Sequence, residues 1–146
     1  MRLLAWTLPL VVAGALVSGC ASDKEDYCDA VKDHQDELTE IAAEGGQTGL
    51  LDALPTYREL QDQAPSDITD EWQQVVKSLD ALDQALDDAG VDPATYDPKN
   101  PPADLNDDDV AAIADAADEV GSAETQSALQ GLEQQALDVC QTPLSL

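Results

Sequence analysis

Basic side chains are scarce in this sequence: six Lys and Arg stand against 31 Asp and Glu, which gives a formal net charge of −25. Proteins that bind nucleic acid use Lys and Arg to replace the counterions of the phosphates, and anionic lipid surfaces attract basic segments in the same way. A chain with this charge is repelled by both. We therefore exclude nucleic acid as a partner and expect no electrostatic attachment to a membrane.

Aromatic residues are also few, about 3% of the chain, with no Phe, and there is one histidine, His34. Apolar residues nevertheless make up 43% of the sequence and recur at three- and four-residue steps, which a disordered acidic tail would not require. We expect a folded core built mainly from Leu, Val, Ile and Ala between closely packed helices.

No segment alternates apolar and polar residues as a β-strand would, and no repeat of fixed period is visible. The sequence therefore predicts an all-α domain over residues 23–146, a compact antiparallel bundle of four or five helices. The most regular apolar stripe lies in the third predicted helix, where Trp72, Val75 and Leu79 are three of its members. Tyr57 and Trp72 lie on apolar stripes and are expected in the core.

Helix starts and ends are predicted from capping residues. The first helix begins at the capping box Ser22 to Glu25 and ends near Glu44, and a second follows Thr48 with a kink or break at Pro55. The third begins at Ser66 and ends at Ala89-Gly90, the fourth follows Asn106, and the fifth is capped at Gly121-Ser122 and runs to about Cys140. The expected inner positions of the last two helices are Val110, Ile113, Ala114, Ala117, Val120, Leu129, Leu132, Ala136 and Val139.

A loop of about residues 91–105 separates the third and fourth helices, because it contains Pro93, Pro98, Pro101 and Pro102. Tyr96 lies in this loop, away from the apolar helix faces. We expect its ring either to pack down and pin the loop or to be an exposed contact point for a partner.

The amino terminus has the features of a cleaved signal. Arg2 supplies a positive charge before an apolar run from Leu3 to Val17 that includes Pro9. A transmembrane helix needs about 20 apolar residues, so this run is short for a span and typical of a signal peptide. The alternative is an uncleaved N-terminal anchor helix.

The stretch Leu16-Val17-Ser18-Gly19-Cys20 resembles the lipobox of bacterial lipoproteins. The resemblance implies that residues 1–19 are removed and that Cys20 carries a diacylglycerol and an acyl chain, the only covalent cofactor expected. It also implies attachment through this lipid to the outer face of the cytoplasmic membrane. Residues 20–22 would then be a very short tether to the folded domain.

If Cys20 is lipidated, Cys28 and Cys140 remain as an even pair in an oxidising compartment, and we expect a disulfide between them. The bond would close a loop of about 110 residues, worth roughly 4–5 kcal/mol in the chain-entropy model. The alternative is two buried free thiols.

No catalytic or metal-binding constellation stands out. His34 is most simply a helix residue satisfied by a backbone carbonyl or a neighbouring acid, and no Gly-x-Ser-x-Gly turn accompanies it. Asp104, Asn106 and Asp108 match the first ligand positions of an EF-hand loop, but Asp109 stands where that loop needs Gly. A capped, acidic helix start explains this segment better, so we expect neither a metal site nor an enzyme.

Beyond the lipobox, the chain resembles the small lipoproteins of high-GC actinobacteria in Tyr27-Cys28-Asp29, in Ala64-Pro65 followed by Ile68 and Trp72, and in the late Cys140. That resemblance implies no catalytic residue. The expected function is a non-enzymatic, lipid-anchored binding or interaction module of the cell envelope, whose partner is an envelope protein or a small ligand. The alternative is an accessory lipoprotein that binds a solute or a divalent cation.

Overall fold

The computed structural model describes residues 19–44 and 48–145, with side chains from Asp23 onward. Six α-helices fill these ranges, no strand occurs in them, and the predicted all-α fold is confirmed. The helices are α1 (Gly19–Glu44), α2 (Gly49–Asp52), α3 (Leu54–Gln63), α4 (Thr69–Asp88), α5 (Asp107–Val120) and α6 (Ala123–Gln135), and a π-helical turn (Ala136–Cys140) follows α6.

Helix α4 is the centre of the bundle, because it packs against α3, α5 and α6. Its apolar residues recur every three or four positions, so Trp72, Val75 and Leu79 all point inward and are buried. Tyr57 of α3 packs against Trp72 with ring centroids 5.8 Å apart and a tilted geometry. Both rings lie in the core, as predicted.

Two of the five predicted N-caps are confirmed, those at Asn106 and Ser122. The Asn106 side chain accepts a hydrogen bond from the Asp109 amide at 2.8 Å and starts α5, and Ser122 accepts one from the Thr125 amide at 3.2 Å and starts α6. At both sites the capping hydrogen bond joins two residues that are three positions apart in the sequence. The segment that resembled an EF-hand loop is therefore a capped helix start.

Thr48 is at the N-cap position of α2, as predicted, but its side chain makes no capping hydrogen bond. The remaining two caps were placed wrongly. The backbone of α1 is already helical at Gly19, so Ser22 lies inside the helix. Helix α4 begins at Thr69, three residues after Ser66, because the Ile68 amide first bonds to the Pro65 carbonyl in a tight turn at 3.1 Å. That turn buries Ile68 in the core.

The predicted second helix is divided before Pro55, as expected. Helix α2 ends at Asp52 and α3 begins at Leu54, which places Pro55 in the first turn of α3, where its missing N–H costs no hydrogen bond. Ala53 bridges the two helices, since its amide bonds to the Gly49 carbonyl and its carbonyl accepts from the Tyr57 amide.

The carboxyl-terminal segment differs from the prediction. Val139, expected inside, is 42% exposed, because hydrogen bonds in a π-helical turn span one more residue than in an α-helix and each residue turns less about the axis. Cys140 therefore falls on the inner face. Beyond it, Leu144 is fully buried against the core, and its amide donates to the Glu133 carboxylate at 2.9 Å.

The structure brings Cys28 and Cys140 together as a disulfide, with their Cα atoms 5.0 Å apart. Both residues are buried. The bond joins the first half of α1 to the π-helical turn, so the two ends of the described chain are tied at one end of the bundle.

Candidate binding groove

An apolar groove of about 180 Å³ lies between the end of α4, helix α5, helix α2 and the 91–105 loop; we call it the α4–α5 groove. Leu82 and Leu86 of α4 and Ile113 of α5 line its inner side. Thr48 and Leu51 contribute from the α2 side.

The outer walls come from α5 and the loop. Val110, Ala114 and Ala117 line one wall, and Pro93, Tyr96 and Pro98 line the other. Ala114 and Ala117 were predicted to be buried, and this prediction was wrong: both are exposed, because nothing in the described chain packs over this part of α5. Their small side chains leave the groove open.

The inner side of the groove is separate from the main core. Leu86 and Ile113 are only 3% and 2% exposed, yet they lie outside the apolar cluster that surrounds Trp72. A second, smaller apolar region therefore sits at the junction of α4 and α5, and the α4–α5 groove is its open side.

Two aspartate-centred turns fix the loop on either side of Tyr96. The Asp92 side chain accepts the Ala94 amide at 2.9 Å, and the Asp92 carbonyl accepts the Tyr96 amide at 3.0 Å. The Asp97 carboxylate accepts the Lys99 amide and the Asn100 side-chain amide, each at 2.9 Å. Side-chain bonds of this kind hold turns without regular structure.

Tyr96 is half-buried, so it both packs against the groove and keeps a face toward solvent. The two alternatives that the sequence left open for this residue are combined in one position. The Asn100 side chain, and then the Lys99 amide, lower the pKa of Asp97 below its usual value, so this carboxylate beside Tyr96 is ionised at neutral pH.

The residues next to the groove-lining positions in the chain are strongly acidic. Only one of them, Lys99, is basic. The acidic neighbours are Asp52, Asp83, Asp87, Asp92, Asp97, Asp109, Asp115 and Asp118. Consecutive Cα atoms are about 3.8 Å apart, so the backbone of each of these acidic residues lies close to the groove lining.

His34 lies elsewhere, on α1 beside α3. Its Nε2 is 3.1 Å from a Glu59 oxygen and its Nδ1 is 3.3 Å from a Glu37 oxygen. The neighbouring acids expected for this residue are thus its contacts. His34 also lines a shallow acidic depression between α1 and the end of α3, together with Asp33 and Asp62. Within the described ranges, no group of three or more His, Cys, Asp or Glu is arranged to hold a metal ion.

The predicted signal peptide lies outside the described residues, apart from Gly19, and so does the Cys20 side chain. The Cys20 backbone is part of α1. Among the helices of the described residues, none is long and apolar enough to cross a bilayer.

The lining residues of the α4–α5 groove carry methyl groups, rings and two hydroxyls, which can hold an apolar group without reacting with it. The sequence indicated Tyr96 but not the groove, since sequence alone does not show where a loop crosses two helices. Comparison with family models, with curated proteins and with solved structures gave no match to this chain.

Proposed function

We propose that this chain is a non-enzymatic binding module, anchored by lipid on Cys20 to the outer face of the cytoplasmic membrane, with the α4–α5 groove as its binding surface. The observation that carries the proposal is the groove itself: an open apolar surface, separate from the main core, beside a loop held by defined turns. Binding sites for small molecules are commonly concave and mostly apolar, with a few polar groups at the edge.

The course of α1 supports attachment through Cys20. The helix is continuous from Gly19 through Cys28. At a rise of 1.5 Å per residue, Cys28 lies about 12 Å along the helix axis from Cys20. At Cys28 the disulfide joins α1 to the end of the bundle formed by Cys140. A lipid on Cys20 would therefore be joined to the bundle by about two turns of helix, instead of the very short tether expected for residues 20–22.

The position of the groove suits a module that reaches away from the membrane. Thr48 and Leu51 line it, and the intervening Gly49 lies beside Ile41 of α1, where an added Cβ would meet Ile41 Cγ2 at 3.8 Å. Ile41 follows Cys20 by 21 residues, or about 32 Å of helix. The groove would face the envelope while the lipid holds the opposite end.

The alternative function is an accessory lipoprotein that binds either a solute or a divalent cation. The groove distinguishes between these two ligands. An apolar groove favours an organic solute, whereas divalent cations prefer clustered oxygen ligands. We therefore keep the solute version as the second candidate. The first candidate allows an envelope protein or a small ligand as the partner, and this second one is limited to a free solute.

Anchoring is tested by labelling cells that express the full-length chain with fatty acid. We expect label on the native protein and none on Cys20→Ala, while Cys28→Ala keeps it. Label that survives in Cys20→Ala would refute the anchor.

The groove is tested with the lipidated full-length protein in nanodiscs of zwitterionic lipid, titrated with benzyl alcohol and followed by the methyl signals of Ile113 and Ala117. We expect saturable shifts that are lost in Ala114→Leu, which fills the groove, and kept in Ala112→Leu, an exposed position of α5 that does not line it. Equal behaviour of the two variants would count against the groove as a site.

A further inference from the structure

Building on the proposed binding role of the α4–α5 groove, we infer that its ligand is a small amphipathic cation. The ligand would have one apolar group about as large as a benzene ring, joined to a positively charged group. The apolar part would enter the groove, and the charge would remain at the acidic edge.

The size of the apolar group follows from the volume. The groove measures about 180 Å³. A closed apolar cavity of about 150 Å³ is large enough to bind benzene. One ring or a short branched alkyl group therefore fits within the groove, whereas a longer apolar body such as a lipid chain would extend beyond it.

The charge of the ligand follows from the edge of the groove. Eight aspartates are chain neighbours of lining residues, against the single cation Lys99. Several of them are hydrogen-bonded to neutral donors: Asp52 to the Thr48 hydroxyl, Asp97 to amides and Asp109 to Asn106. Neutral donors stabilise a carboxylate without cancelling its charge, so the field at the groove stays negative.

The aromatic lining adds to this preference. Tyr96 lines the groove and is half-buried, so its ring is available to a ligand. The face of a tyrosine ring attracts a cation positioned within about 6 Å of its centre. A cation at the groove would meet both the ring and the carboxylates, whereas an anion would be repelled by both.

The same electrostatics exclude the other obvious occupant, a second copy of this chain. A chain with a formal charge of −25 that places its acidic edge against an identical partner would bring like charges together. Exposed like charges repel one another over about 10 Å at 0.1 M salt, so this contact would be opposed by repulsion.

The inference is tested with the lipidated full-length protein in zwitterionic nanodiscs, with empty nanodiscs as the blank. Three probes share a ring and differ in charge: benzyltrimethylammonium, benzyl alcohol and phenylacetate. At low salt we expect the cation to bind about tenfold tighter than the alcohol, and phenylacetate to bind more weakly than either. Added salt should reduce the difference in affinity between the cation and the alcohol, because salt screens the attraction between the cation and the carboxylates but does not affect the uncharged probe.

Variants test separately the contribution of the edge charges and that of the apolar groove. Asp87→Asn with Asp118→Asn removes two edge charges and should weaken the ammonium probe about threefold while leaving benzyl alcohol unchanged. Asp62→Asn with Asp70→Asn is the matched control at exposed positions that do not adjoin the groove lining. Ala114→Leu should abolish binding of both probes.

Each contrary result has its own meaning. If the cation binds no tighter than the alcohol, or if the control pair of substitutions weakens it equally, the charge assignment is wrong and the groove remains a site. If none of the three probes binds, both this inference and the proposed binding role of the groove are wrong. Ammonium binding that survives in Ala114→Leu would place the cation outside the groove and overturn the inference.

Discussion

The Trp72 indole N–H of α4 donates a hydrogen bond of 3.2 Å to the Tyr27 hydroxyl of α1, and both side chains are fully buried. Indole has one donor and no acceptor, so this bond satisfies the only polar atom of the largest core side chain. It also ties the helix that carries Cys20 and Cys28 to the central helix of the bundle.

Replacing Tyr27 with Phe should destabilise the fold by about 1–3 kcal/mol, because the buried Trp72 N–H would lose its acceptor. Urea unfolding followed by tryptophan fluorescence measures the change. Tyr57→Phe is the matched control, since it removes a hydroxyl from the other buried tyrosine, whose ring packs against Trp72. A loss for Tyr27→Phe no larger than that for Tyr57→Phe would contradict the role given to the hydrogen bond.

Removal of the Cys28–Cys140 disulfide should lower the free energy of unfolding by about 2–5 kcal/mol, because the bond closes a loop with a sequence separation of 112 residues. Paired Cys28→Ala and Cys140→Ala substitutions avoid a leftover thiol. Cys20→Ala, which leaves the pair intact, should change little.

Intact mass after alkylation tests the same bond directly. Without reductant, we expect no alkylation at Cys28 or Cys140, and with reductant under denaturing conditions we expect both to react. Two reactive thiols before reduction would show that the pair is not bonded in the protein.

The sequence predicted the features of this fold that depend on nearby residues. The stripe of α4 is visible because Trp72, Val75 and Leu79 face partners on the inner side along the whole helix. The caps at Asn106 and Ser122 were found because each bond spans three residues. Ser66 has the same local pattern, but the turn at Pro65 that buries Ile68 replaced the cap.

Features that depend on distant contacts were not predictable in this way. Val139 was expected inside because an α-helical register was assumed, whereas the π-helical turn directs Cys140 toward Cys28, far away in sequence. The α4–α5 groove was missed for a similar reason. Whether Ala114 and Ala117 are covered depends on the path of the 91–105 loop, and apolar spacing carries no information about that path.

Alkaline pH should unfold the protein more readily, because burial raises the pKa of Tyr27 and of Tyr57 from 10.0 to about 12. Between these values the folded state keeps protons that the unfolded state has lost. The stability from these two groups is complete below about pH 10 and is lost as the pH rises through about 12.

Denaturant unfolding at a series of pH values, together with phenolate absorbance, measures this effect. The free energy of unfolding should fall less steeply with pH in Tyr27→Phe, because this variant has one fewer tyrosine with a raised pKa. If every tyrosine of the folded protein ionised near the ordinary tyrosine pKa of 10.0, neither buried hydroxyl would be shielded from solvent.

Substitutions at Leu144 and Leu137 should differ sharply, although both leucines lie near the carboxyl terminus. Leu144 is fully buried, so Leu144→Ala should cost about 2–5 kcal/mol of stability through lost burial and the cavity it leaves. Leu137 is 43% exposed, and Leu137→Ala should change stability by much less, since surface substitutions usually stay within about 0.5 kcal/mol. Thermal or urea unfolding of the two variants decides the matter. A stability loss for Leu144→Ala as small as that for Leu137→Ala would mean that the last residues do not pack on the core. The hydrogen bond from the Leu144 amide to Glu133 would then not hold them there.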